Sequence, residues 1–527
     1  MKQLTDHRSL MIGLAIPALL VLPLGCEFNT PSFNNPLDPS VSVPLDSIVF
    51  DDPSFADVVY RSAEGPNTND VYHIWDDNSG VTGLGGIEYL SNLQELRLHN
   101  SGVSSLLSVG QLRRLEQLEI DNANLTDISP LGKVSSLRAV MLRNNNISSL
   151  EPLDTLSRLE RVALSGVNSW SGKYFRGTVE EIATLSQLRH VELSEFDIAD
   201  LATLEPILGM PNLEGLGLDN GGLTEFPTGA AIRELRELRL SWNPITALPA
   251  SSVSFSNLEH LSIQGLQLSD ANYGGLENIR APDLRWLDIG GNWVDDGFGG
   301  NAAPTTSIPD LSQYPALEGL SARDSEIVDI SGISELTSLR NLDLSNQGTA
   351  IIDFSPLSNL TNLHDLHLGS TGFGDDDFQY LSGMSELGWL SLWGNPGITS
   401  FSGLESVPLG GMEAGNLESL TTLNLSQIDH IREVYLPDQA SLSEVTGGTG
   451  AGIERLYLEN GNAVDCSSLG NLTTLRELSL SGTPITDGAQ ELARLTNLYR
   501  LDLSGTGVPQ ADVDYLVEAL PNCNIIR

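Results

Sequence analysis

The side chains best placed to do chemistry in this chain suit binding and not catalysis. Trp286, Asp343, Asp365, His367, Trp389 and Trp393 stand on a spacing close to a common period. Brought to one face they would offer aromatic anchors and acidic acceptors, a combination that suits a basic or polar protein segment or a glycan stacked on the rings. The string HDLH sets His364 and His367 three residues apart. On an extended strand residues at that separation leave opposite faces, so no metal site is expected there. The strings Asp295–Asp296 and Asp375–Asp377 lack the alternating ligands of a calcium loop. No GxSxG elbow, phosphate loop, HExxH or CxxC occurs. No catalytic residue, metal or cofactor is therefore expected, and the chain does not read as an enzyme.

Composition narrows the partners. The 527 residues carry 69 acidic and 27 basic side chains, a formal charge of −42. Nucleic acid is excluded as a partner, because phosphate binding needs clustered Lys and Arg. Three cysteines in this length rule out a disulfide scaffold. Cys466 and Cys523 read as buried thiols some three repeats apart, too far to bridge.

Cys26 differs in context. Lys2 and Arg8 precede an apolar run from Leu10 to Gly25 that ends in LVLPLGC at Cys26. Sixteen residues containing Pro17 and Pro23 fall short of the roughly 20 that a membrane span requires, but they suit an export signal. The run resembles a bacterial lipoprotein signal, although Pro23 stands where such signals usually carry Leu. The resemblance implies removal of residues 1–25, acylation of Cys26 as the membrane anchor, and a place in the cell envelope at the outer membrane or cell surface. Residues 26–47, rich in Pro, Asn and Ser, read as an extended tether.

The elements that must position the Trp and Asp side chains come from a repeat. Leu-x-x-Leu-x-Leu recurs from LQELRL at Leu93 to LYRLDL at Leu498, mostly 22 to 26 residues apart. One such unit cannot bury its own apolar edge, so neighbouring units must stack into a solenoid with a shared core. The second and third apolar residues point inward from a short strand, and the residues between them face out. Asn145, Asn243, Asn292 and Asn395 follow the third apolar residue by three, where an amide can satisfy turn backbone groups; Thr371, Thr483 and Thr506 take that place elsewhere. The pattern resembles the leucine-rich repeat, and in particular the 22-residue type of bacterial internalins. The resemblance implies an α/β solenoid with a parallel concave sheet and a mixed extended and helical convex side. It also implies a helical cap at residues 48–70 before a solenoid at 71–527. The scaffold does not specify a ligand.

Between Leu387 and Ile453 the register is open. LGGMEA at Leu409 and IREVYL at Ile431 keep the 22-residue grid, whereas LTTLNL at Leu420 is the better motif and breaks it, giving nineteen or twenty units. The residue after each first Leu runs Glu116, Arg138, Glu160, Arg189, Glu214, Arg236, Glu259, Arg285, Glu318, Arg340, then stops alternating at His364 and Gly388. Exposed pairs of this kind contribute about 0.2–1 kcal/mol each, so their expected value is register. Two insertions, Ser169–Gly177 and Asp295–Ser307, are further candidates for binding. The expected function is an exported, lipid-anchored module binding a protein partner through its concave face; a glycan-binding envelope protein and a spacer without ligand are the alternatives.

Overall fold

The computed structural model describes residues 42–527 apart from 79, 167–170, 199–200, 296–300, 349, 429 and 448–451. Cys26 and the signal segment lie outside the described residues. The inward leucines build a single 20-stranded sheet. Its strands pair in parallel with the unit before and the unit after, from His73–Asp77 to Asn524–Ile526. Each strand is only three to five residues long, because the motif supplies just two inward apolar residues before the chain must turn. A continuous buried cluster runs from Leu45 to Leu520. The fold is a leucine-rich repeat solenoid.

The ambiguous stretch follows the grid. Gly411–Glu413 and Glu433–Tyr435 join the concave sheet. LTTLNL contributes Thr422–Asn424, which pairs instead with Glu444–Thr446 in a separate two-stranded sheet. Its leucines are buried all the same: a good apolar motif needs a core, and the return segment offers one too.

The turn residues act as expected from their position. The Asn243 amide donates to the Leu218 and Leu240 carbonyls at 2.8 and 2.7 Å, and its oxygen accepts from the Gly221 and Leu223 N–H groups. Gln347 performs the same task, donating to Ala322 and Leu344 and accepting from Ile327. Such backbone groups are buried, and leaving one unpaired costs about 1–3 kcal/mol.

At the N-terminal end the helix Pro53–Ser62 buries Phe55, Val58 and Val59 against the first strand. Asp52 caps it, accepting from Ser54 N–H, and also accepts from Thr82 N–H, Thr82 Oγ1 and Gly83 N–H. Burial opposes its charge, but these donors win and hold the carboxyl well below the usual range. Residues 43–47, expected to be extended tether, are part of the cap. Val43 N–H donates to Thr68, Leu45 N–H to the Pro66 carbonyl, and Leu45 is buried, because the cap needs an apolar residue to close it. Among the described residues, no helix is long and apolar enough to cross a membrane. The convex side is mixed, with short 3-10 turns in most units and an α-helix at Gln510–Ala519. Cys466 is buried, its thiol pushed up to about 12 by burial. Cys523 is only half-buried, in the turn between the helix Gln510–Ala519 and the strand Asn524–Ile526, and not the buried thiol expected.

Candidate binding surface on the concave face

Strand alternation and register decide which side chains meet. Trp286, Gly319, Asn341, Asp365 and Trp389 occupy one outward row on five successive strands. Asp288, Ser321, Asp343, His367, Ser391 and Glu413 form the next. A depression of about 440 Å³ opens over these rows, and Trp286, Asp343, Asp365 and His367 all line it. Asp288, which sequence reasoning passed over, joins them, and Arg323 is the one guanidinium in the lining.

Asp288 and Asp343 accept from neutral donors, while Asp365 also lies 3.3 Å from His364 Nδ1. Asp343 accepts from Ser345 N–H at 2.9 Å and from the Ser345 hydroxyl at 2.5 Å. Asp365 accepts from the Asn341 amide at 2.6 Å. Asp288 accepts from Gly290 N–H at 3.1 Å. Burial pushes the Asp288 carboxyl up, and the neighbouring Asp343 adds to the rise. Arg323 directs its Nε to Asp324, 2.7 Å away. The depression is therefore electronegative, with Trp286, 41% exposed, as its aromatic wall.

Trp389 and Trp393 do not line the depression. Both are half-buried. Each large aromatic lies across a glycine at the same register on the next strand: Trp286 over Gly319, Trp389 over Gly411 and Trp393 over Gly415. A Cβ at Gly319 would come within 2.1 Å of the Trp286 ring. The rings thus pack flat on the sheet with one face left outward. Trp389 also contacts Tyr435 (centroids 6.0 Å), which stacks on Tyr457 at 4.5 Å and 4°. Tyr435 lies inside the stretch of open register, which hid its place on the concave face, and Tyr457 follows it in the unit at Ile453; the 22-residue grid was the signal that could have paired them.

The strands nearer the N-terminus are different. Arg97, Glu119, Arg143, Glu192, Arg239 and Asp219 form a chain of contacts at 3.6, 3.2, 2.8, 3.6 and 2.5 Å. Arg143 also bonds Asp121 at 2.6 Å. Burial opposes the charge on Glu192, yet Arg143 and Arg239 hold its carboxyl below the usual range. His99 lies between Asp77 at 2.7 Å and Glu119 at 3.2 Å, and the Glu119 carboxylate raises its pKa. His99, Glu119 and Asp121 are close enough to hold a metal ion. Arg143 already supplies positive charge to both carboxylates, so the cluster reads as ion pairing.

The edge ladder is present in the structure. Arg138 contacts Glu160 at 3.1 Å, and Arg236–Glu259 and Arg285–Glu318 meet at 2.5 Å. It resumes past the break, where Arg432 and Arg476 both reach Glu454. Of the insertions, residues 169–170 and 296–300 lie outside the described residues; Arg176 stacks over Tyr174 at 4.6 Å.

No protein-family model matches this chain, and no curated protein sequence matches it. Solved structures do. The mouse RP105/MD-1 complex is similar at 19% identity over 79% of this chain and 75% of that one, with a TM-score of 0.52. An internalin from Listeria monocytogenes is 18% identical over 88% and 98% of the two chains, TM-score 0.29. A leucine-rich repeat protein of Leptospira interrogans is 18% identical over 87% and 96%, TM-score 0.38. At these identities the likeness is one of fold: the chain is built as a leucine-rich repeat protein, with structural neighbours among the internalins.

Proposed function

We propose that this chain is an exported, lipid-anchored leucine-rich repeat protein of the cell envelope that binds a protein partner through its concave face. The observation that carries the reading is the electronegative depression between Trp286 and His367, where Asp288, Asp343 and Asp365 face a single guanidinium beside an exposed indole. Such a surface suits a basic segment of the partner, its cation received by the carboxylates and its apolar stem by the ring. Trp389 and Trp393 extend the surface as a half-buried aromatic rim. Export and anchoring rest on the apolar run ending at Cys26.

The test is affinity capture on the chain from residue 27 onward, run beside Trp286→Ala and Asp343→Asn/Asp365→Asn variants. A partner retained by the parent and lost by both variants supports the concave site. Capture that both variants retain, or that is lost only on Trp389→Ala/Trp393→Ala, moves the site off the depression. Anchoring is checked separately: Cys26→Ala should release the chain from the membrane fraction.

A further inference from the structure

The residue that follows the concave strand commonly adopts left-handed backbone. Among the described residues, the non-glycine positions with positive φ are Asn, Asp or Ser with two exceptions, Glu195 (φ 61°) and Trp242 (φ 62°). Asn, Asp and Ser are short and polar, and Asn and Asp in particular tolerate this region by bonding locally, whereas a long acid or an indole gains nothing there. The two exceptions share a place. Glu195, Asn220 and Trp242 fall at one register on successive units, and Glu195 and Trp242 line the same edge depression of about 490 Å³.

Glu195 is only 9% exposed, and its Oε2 has no hydrogen-bond partner. That oxygen is buried without a donor, which leaves one side of the carboxylate unpaired. Trp242 is 48% exposed, its ring lying across Gly265. Asn144, Ser194 and Asn220 complete the polar lining.

We propose that this edge depression is a binding site for a neutral saccharide, with Glu195 accepting from ligand hydroxyls and the Trp242 indole taking the apolar face of a pyranose ring. Vicinal hydroxyls need acceptors and donors side by side, and a carboxylate beside amide and hydroxyl groups offers both. The exposed indole face gives a flat apolar platform. A cationic ligand fits less well, because Arg143 stands on the wall and Asp219 is already bonded to Arg239. The site lies at the strand ends, apart from the depression at Trp286, and goes beyond the protein-binding reading.

Isothermal titration of the chain from residue 27 onward with cellobiose, maltose and chitobiose tests the proposal, with Nα-acetyl-arginine methyl ester as the cationic probe. At least one disaccharide should bind, and its affinity should fall tenfold or more in both Glu195→Asn and Trp242→Asn. Both variants should fold with an unchanged or higher Tm, since Asn is the residue that many other units place at that turn. Trp286→Ala should keep the sugar affinity, which separates this site from the concave one. Binding of none of the three sugars, binding that both variants retain, or preference for the cationic probe overturns the proposal.

Discussion

The two halves of the concave face are built from the same strand and the same outward positions, yet they use charge in opposite ways. Between Arg97 and Arg239, the guanidiniums of Arg97, Arg143 and Arg239 each lie against two or more carboxylates, and these outward positions form a chain of pairs. In the depression at Trp286, Asp288, Asp343 and Asp365 accept from hydroxyl, amide and backbone N–H groups, with His364 beside Asp365 and Arg323 the one guanidinium in the lining. The first surface pairs most of its charge internally. The second keeps its negative charge available, and large aromatics stand beside it. Position within a repeat therefore fixes where a side chain points, while the neighbour one unit away decides whether it is free to bind.

The largest expected effect breaks the paired half. Arg143→Ala leaves Asp121 without its cation and buried Glu192 with only Arg239 at 3.6 Å, and should cost about 3 kcal/mol of stability, read by denaturant unfolding. If the loss is below 1 kcal/mol, the chain of pairs is not what holds these strands. On the open half the same type of change should act on binding. Trp286→Ala should weaken the partner about thirtyfold, roughly 2 kcal/mol, with little change in Tm. A sharper form leaves every binding side chain in place: Gly319→Ala inserts a Cβ where the indole lies, and should weaken binding by displacing the ring.

Titration should separate the halves as well. The pKa of His99 is raised by Glu119, so its contribution is complete below the unfolded value near 6.5 and is lost as pH rises through the folded value. Hydrogen exchange should show Glu95–His99 and Gln117–Asp121 losing protection as pH rises through that window, with Trp286–Asp288 and Asn341–Asp343 unaffected. Asp52 has the opposite sign: its contribution is complete above about pH 4 and is lost as pH falls toward the lowered folded value. The smallest effect belongs to the ladder at the strand entry. Arg236 is exposed and Glu259 half-buried, so Arg236→Ala should change stability by less than about 1 kcal/mol.

Much of this was legible in the repeat. The inward leucines, the turn amides at Asn145, Asn243, Asn292 and Asn395, and the outward parity of Trp286, Asp343, Asp365 and His367 all follow from a period of two within a period near 22. Other features were not legible. Tyr435, and with it the stack on Tyr457, was hidden because LTTLNL, a better motif than LGGMEA, belongs to the convex side. The Arg143 cluster is not apparent from the motif because its partners, Asp121, Glu119 and Glu192, lie one or two units away, and Asp288 joins the depression only through the register of its neighbours. The edge site at Glu195 and Trp242 depends on backbone conformation, which composition does not display.

By itself the sequence determined the architecture, because a repeating apolar motif has one way to bury its edge, and it determined the face on which each side chain lies, because strands alternate. Only the tertiary structure decided which outward acids were neutralised, which rings lay flat over glycines, and where the register ran between residues 399 and 452. Those outcomes depend on contacts between strands 22 or more residues apart, and the motif is indifferent to what fills the positions between its leucines.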